Sequence, residues 1–184
     1  IWKASKPEFA ILAATLIGTL FNLELGIFLG VFISLVMYLY RSSRPEIIPM
    51  LPATEQGAYH FVEARGGKEC PQLRIIRVSG SIYFGAASHV QEALQQIDED
   101  NPLQKSVLVT GTGINFVDVA GAEMLAQEAR RRRRLGGGLY FYRLRDRVQR
   151  FLRHGGYARD IGEGAFFPVR TNVIGALYWT LDPD

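Results

Sequence analysis

Cysteine is almost absent: one residue, Cys70, in a chain of 184. That excludes a disulfide framework and any multi-cysteine zinc or iron–sulfur site. Metal-ligand spacing is missing too, because His60, His89 and His154 fall on separate segments, none of them spaced as a ligand to another histidine or to Cys70. The glycine-rich stretches Thr110–Gly113 and Leu135–Gly138 carry neither the GxGxxG nor the GxxxxGK pattern, and both read as turns. Ser79 and Ser81 have no evident base, and the acids at Asp98–Asp100 read as a solvated cluster at a helix end. With no convergent acids, bases or nucleophiles, the sequence predicts no catalytic residue, no metal and no cofactor.

Charge is missing over one long stretch. From Phe9 to Tyr40, Glu24 is the only charged residue. Yet 21% of the whole chain is charged and 48% is hydrophobic, too polar for a wholly membrane-embedded chain and too apolar for a disordered one. The net charge of +3 is thus the sum of a greasy head, a balanced middle and a basic tail. A single helix over Phe9–Tyr40 would be roughly 45–50 Å long, against a hydrocarbon core of ~30 Å. The patch Asn22–Gly26 offers a break, which predicts a membrane hairpin of Phe9–Phe21 and Leu25–Tyr40 with Glu24 in its connector, since charge is costly in lipid. Each arm is short for a lone span and suits packing against other membrane helices. Gly26, Gly30 and Ser34 put a small-residue seam on one helix face. A signal peptide fits poorly, because no basic region precedes one short apolar core and a small-residue cleavage site. The chain opens at Ile1-Trp2 rather than methionine and reads as a fragment. Arg41 and Arg44 directly follow the apolar run, which predicts that everything beyond them is cytoplasmic.

The pattern then changes. Pro45, Pro49 and Pro52 punctuate a stretch that cannot continue the helix and reads as a linker over 45–57. Strand-like segments at Ala58–Glu63 and Leu73–Val78 follow, then an amphipathic helix over Ala87–Asp98 with Val90, Leu94 and Ile97 on one face. A short buried strand at Val107–Thr110, a helix over Val119–Arg134, a strand at Leu139–Tyr142 and a helix marked by Leu144, Val148, Phe151 and Leu152 come next. Phe166-Phe167 suggests an edge strand before a last helix holding Val173, Ile174, Leu177, Tyr178 and Leu181. Strands separated by single helices imply parallel pairing with right-handed crossovers. The predicted organisation is 1–44 membrane helices, 45–57 linker and 58–184 a cytoplasmic α/β domain with a mixed, mostly parallel sheet flanked by helices.

Three stretches together, LELGIFLGVFISLVMYLYRSSRP at Leu23–Pro45, VSGSIYFGAASHVQEAL at Val78–Leu94 and GINFVDVAGAEML at Gly113–Leu125, resemble the C-terminal end of SulP-type anion transporters, the sulfate permease family. The resemblance covers the last membrane helices and the STAS domain, a module shared with anti-sigma-factor antagonists. It implies a multi-span secondary transporter of sulfate-like anions in the plasma or inner membrane, whose anion site lies on earlier helices outside this chain. The domain would then serve regulation, assembly or dimerisation, with a homodimer, the rest of the membrane domain and membrane lipid as partners. A membrane-tethered partner-switch protein without transport is the alternative.

In the related antagonists the turn matching Phe116–Gly121 reads Asp-x-Ser-Gly, and its serine is phosphorylated. Here Asp118 and Gly121 match, but Ala120 stands at the serine position, and Thr110 stands where an acid often ends the preceding strand. A phosphoserine switch therefore has no hydroxyl to act on. Asp118 reads as a helix cap, and a phosphate or nucleotide loop at Asp118, Ala120 and Gly121 is the functional counterpart. The arginine run Arg130–Arg134 reads as a solvated helix end or, at Arg131, Arg132, Arg133 and Arg134, as a contact for anionic lipid or a protein partner. A nucleic-acid partner is not expected, for want of a recognition motif. Ile82–Ala86, just after a strand, is a further candidate surface, unless Tyr83 and Phe84 are core aromatics.

Overall fold

Twenty residues, Leu23–Ser42, form one helix, α1. At 1.5 Å per residue it is about 30 Å long, the thickness of a bilayer core, and it is apolar enough to cross one. The computed structural model describes residues 13, 16, 18, 23–53, 60–64, 66, 70–169, 171–178 and 181, and it divides into two compact units between Ser43 and Arg44. Within the first unit, α1 leaves Leu23, Phe28, Val31, Phe32 and Tyr38 more than half exposed, and Gly26 is its buried residue. A core helix of a soluble globule would bury those side chains; this one presents them outward.

Gly18 and Gly26 are both helical, and a Cβ on Gly18 would lie 3.3 Å from the Gly26 Cα. Residues eight apart in one helix are separated by about 12 Å, so Gly18 and Gly26 do not belong to one continuous helix. The rest of the first arm, Phe9–Phe21, lies outside the described residues apart from Ala13, Leu16 and Gly18. Glu24 is not in a connector: it stands in the first turn of α1, where a carboxylate faces the positive end of the helix dipole. Ser43 ends the helix by donating its Oγ–H to the Tyr40 carbonyl at 2.9 Å.

The second unit is built on a seven-stranded sheet. Its elements are β1 (Glu46–Pro52), β2 (Phe61–Glu63), β3 (Leu73–Ile82), α2 (Phe84–Asp100), β4 (Ser106–Thr110), β5 (Ile114–Val117), α3 (Val119–Arg134), β6 (Leu139–Tyr142), α4 (Asp146–His154), α5 (Tyr157–Ile161), β7 (Phe166–Phe167) and α6 (Val173–Tyr178). Strand order is β2-β1-β3-β4-β6-β7, with β5 pairing the far end of β3. β3, β4, β6, β7 and β5 run parallel, while β1 is antiparallel to both of its neighbours. The mixed, mostly parallel sheet expected from the β–α alternation is therefore what forms.

Alternate residues of the strands feed two cores. Ile76, Val78, Val107, Val109, Leu139 and Phe141 meet α2, α3 and α4 through Val90, Leu94, Leu125, Val148 and Leu152. On the other face Leu73, Ile75, Leu108 and Tyr142 meet Met50 and the α6 residues Val173 and Leu177.

Three departures from the sequence reading have physical causes. The expected linker 45–57 contains β1, seven residues that pair β3 from Glu46↔Ser79 to Pro49↔Ile76. Prolines argue against a strand on propensity, but Ile47 packs on the first core and Met50 is buried in the second, and burial overrides the missing donors. β5 escapes a periodicity reading because it has four residues and two of them, Asn115 and Phe116, point to solvent. α5, five residues long, is too short for the 3.6-residue period to show.

Candidate functional site

The loop between β5 and α3 is held from both sides by one carboxylate. Asp118 is the N-cap of α3: its Oδ1 accepts from the Gly121 N–H at 2.8 Å. Its Oδ2 accepts from the Phe84 N–H, the first of α2, at 2.9 Å. One side chain thereby terminates two helices, satisfying a donor of each that would otherwise be orphaned. The helix-cap reading is correct, with the second helix added. Gly121 is required by contact: a Cβ there would sit 2.2 Å from the Ile82 carbonyl oxygen, so only glycine lets α3 start against the end of β3. Ala120 is half-buried in the first turn of α3 and carries no hydroxyl. The Gly121 and Phe84 N–H groups that an incoming phosphate would use are already taken by a negative side chain.

Around this cap the surface is apolar. Phe84 is 79% exposed, Val119 64% and Phe116 44%. The Ile82–Ala86 stretch therefore splits: Ile82 and Ala86 are core, whereas Phe84 stands in solvent. A sequence reading could not separate them, since both alternatives need the same residue types.

The arginine run is sorted by helix geometry rather than shared by one surface. Arg132 is wholly buried. It meets Glu128 at 2.7 Å, Asp98 at 3.0 Å and the Leu94 carbonyl at 2.8 Å, and its Nη1 reaches the Lys105 carbonyl at 3.2 Å. Arg131 bonds Glu128 at 2.7 Å and also pairs with Asp98. Hydrogen bonding to Glu128 raises the Arg131 pKa above its ordinary value, so the cation is permanent. Arg130 bridges Glu123 and Asp160. Arg133 donates to the Asp160 carbonyl, and it and Arg134 remain exposed. Two of the four arginines expected at a lipid or partner surface, Arg131 and Arg132, are instead the clamp between α2, α3 and the α2–β4 loop. Asp98, expected in water, is part of that clamp, and Glu128 is its buried centre. The signal for it was the i, i+4 spacing of Glu128 and Arg132.

Among known proteins, a profile of the STAS domain matches residues 63–173. The human Solute carrier family 26 member 6 is 30% identical over 98 residues, which is 52% of this chain and 13% of that one. The putative sulfate transporter YvdB of Bacillus subtilis is 24% identical over 174 residues, 94% of this chain and 31% of that one. The solved structure of the murine Solute Carrier 26 family member A9 anion transporter superposes with a TM-score of 0.78 at 16% identity, covering 97% of this chain and 30% of that one; at that identity it speaks for the fold. The chain thus spans a third or less of the length of these relatives. They are named as transporters and carriers, not as enzymes. The sheet order, the capped α3 loop and these likenesses agree: the chain belongs to the STAS domain family, and its relatives are SulP-type sulfate and solute carrier 26 transporters.

Proposed function

We propose that this chain is the part of a secondary anion transporter of the sulfate type that joins its last membrane helices to a regulatory STAS unit. The observation that carries the reading is that the likeness to YvdB extends over 94% of the chain, so it takes in the bilayer-length apolar helix together with the α/β unit. The anion is bound by helices outside this chain. The protein is an integral protein of the plasma or inner membrane. The STAS unit lies on the cytoplasmic side, because Arg41 and Arg44 stand at the exit of α1 and basic residues beside a span favour that side.

The unit does no chemistry of its own. Its role is regulation, assembly or dimerisation: it offers surfaces to the remaining membrane domain and to a second copy, and so biases the transporter between conformations. The exposed patch of Phe84, Phe116 and Val119 suits a protein contact. Arg133 and Arg134, the exposed end of the run, suit anionic lipid. Uptake of radiolabelled sulfate by the full-length protein in proteoliposomes tests the reading. Saturable uptake, competed by unlabelled sulfate, is expected; uptake no greater than in protein-free vesicles overturns it.

A further inference from the structure

A second constellation lies on the opposite face of the sheet, away from the Asp118 loop. Arg77 of β3 is in register with Thr110 of β4, and Thr110 with Tyr142 of β6. The three form a row across the carboxyl ends of the parallel strands β4 and β6, the position where open α/β sheets take ligands. A cavity of about 120 Å³ opens above this row, lined also by His60, Thr112 and Arg143. Phe61 closes its floor, edge-on to Tyr142 with ring centroids 5.5 Å apart.

Arg143 is the feature that marks the place. Its φ of 57° makes it the one non-glycine residue with a left-handed backbone among those described, a conformation that costs a residue with a Cβ. The Arg143 N–H donates to the Phe167 carbonyl at 3.0 Å, which pins that strained position at the end of β6. Strain of this kind gathers at ligand sites, where the surrounding structure holds it in place. The turn carrying Thr112 is fixed likewise, its carbonyl accepting from Arg145 Nε at 3.2 Å. Thr110 gives its hydroxyl proton to the Ile76 carbonyl and so shapes the cavity without donating into it. Among the described residues, Glu63 pairs with Arg77 at 2.8 Å and engages part of a guanidinium that has five N–H donors. Among the described residues the lining holds two arginines and no carboxylate.

The geometry points to a binding site for one tetrahedral oxyanion, held by Arg143, Arg77, Thr112 and His60. The cavity is well below the roughly 300–1,000 Å³ of pockets that enclose drug-sized ligands, so the occupant is either a free inorganic anion such as sulfate or the terminal phosphate of a nucleotide whose remainder stays outside. Forked guanidinium donors with a hydroxyl are the groups that recognise such anions. This site does not depend on transport, and uptake measurements leave it untouched.

Calorimetric titration of the detergent-solubilised chain with sulfate, and separately with AMP, tests it. One saturable site is expected in at least one titration. Binding of sulfate identifies the free anion as the occupant; binding of AMP alone identifies a nucleotide phosphate. In Arg143→Gly affinity should fall about ten-fold or more, the scale of one lost charge-assisted hydrogen bond. That variant should keep its fold, since glycine adopts the left-handed backbone freely, and an unchanged circular dichroism spectrum checks it. Arg150→Gln, which removes an exposed arginine of α4 outside the cavity, should bind like the parent. No saturable binding of either ligand, or equal affinity in the parent and Arg143→Gly, overturns the site.

Discussion

The apolar residues of α1 and those of the sheet are chemically alike, yet the fold treats them in opposite ways. Val31 and Leu35 of α1 are 63% and 53% exposed, whereas Val107 and Leu108 of β4 are fully buried. In the STAS unit, water drives such side chains against one another; in α1 they face outward, the arrangement that the membrane reading proposed above requires. Charge inverts in the same way. α1 holds Glu24 in its first turn and Arg41 in its last, leaving its middle uncharged, whereas the STAS unit encloses Arg132 and Glu128 together in its interior. A buried ion pair is tolerated only with its hydrogen bonds satisfied, and the carbonyls of Leu94 and Lys105 do this for Arg132. Where a charge goes is thus decided by the partners available there, not by burial alone.

Three destabilising substitutions and one control sharpen this contrast. The largest effect is expected from Arg132→Ala, which leaves Glu128 and Asp98 to Arg131 alone, takes the Arg132 donor from the Leu94 and Lys105 carbonyls, and should destabilise the STAS unit by about 3–5 kcal/mol. The neighbouring change Arg134→Ala, on the exposed side, should stay within about 0.5 kcal/mol. Denaturant unfolding of the detergent-solubilised chain, followed by circular dichroism, measures both; equal losses would show that the run acts as one surface. Next comes Val31→Arg in the middle of α1, which should cost about 2.5–3.5 kcal/mol of membrane insertion. Alkaline carbonate extraction of membranes reads this as a shift of protein to the soluble fraction, and full retention would contradict a bilayer surrounding α1. The smallest loss among the three destabilising changes belongs to Asp118→Ala, which removes one cap from each of two helices and should cost about 1–2 kcal/mol. Amide hydrogen exchange should localise the loss to the first turns of α2 and α3; loss at α3 alone would leave the second cap without weight.

Much of the STAS unit could be read from the chain. The helix Val119–Arg134 and the strand Leu139–Tyr142 have the limits their patterns imply, because a glycine triplet separates a clear 3.6-residue period from a short run of β-formers. Asp118 was legible as a cap because capping is a local interaction, three residues long. Its second partner, Phe84, lies 34 residues away and left no trace in the pattern. β1 was hidden by its prolines, whose local preference is outweighed by contacts with distant strands. The arginine run misled for a related reason: composition counts five cations, but only the angular position of each on α3 decides which meets Glu128 and which meets water.

What the sequence by itself determined is whatever depends on near neighbours: an apolar run of bilayer length with basic residues at its exit, the alternation of strands and helices, and the cap of α3. Tertiary structure decided the rest. It paired β1 with β3, buried Arg132, left Phe84 in solvent and aligned Arg77, Thr110 and Tyr142 in one row, because each of these follows from strand register and helix rotation, which bring together residues that the chain keeps far apart.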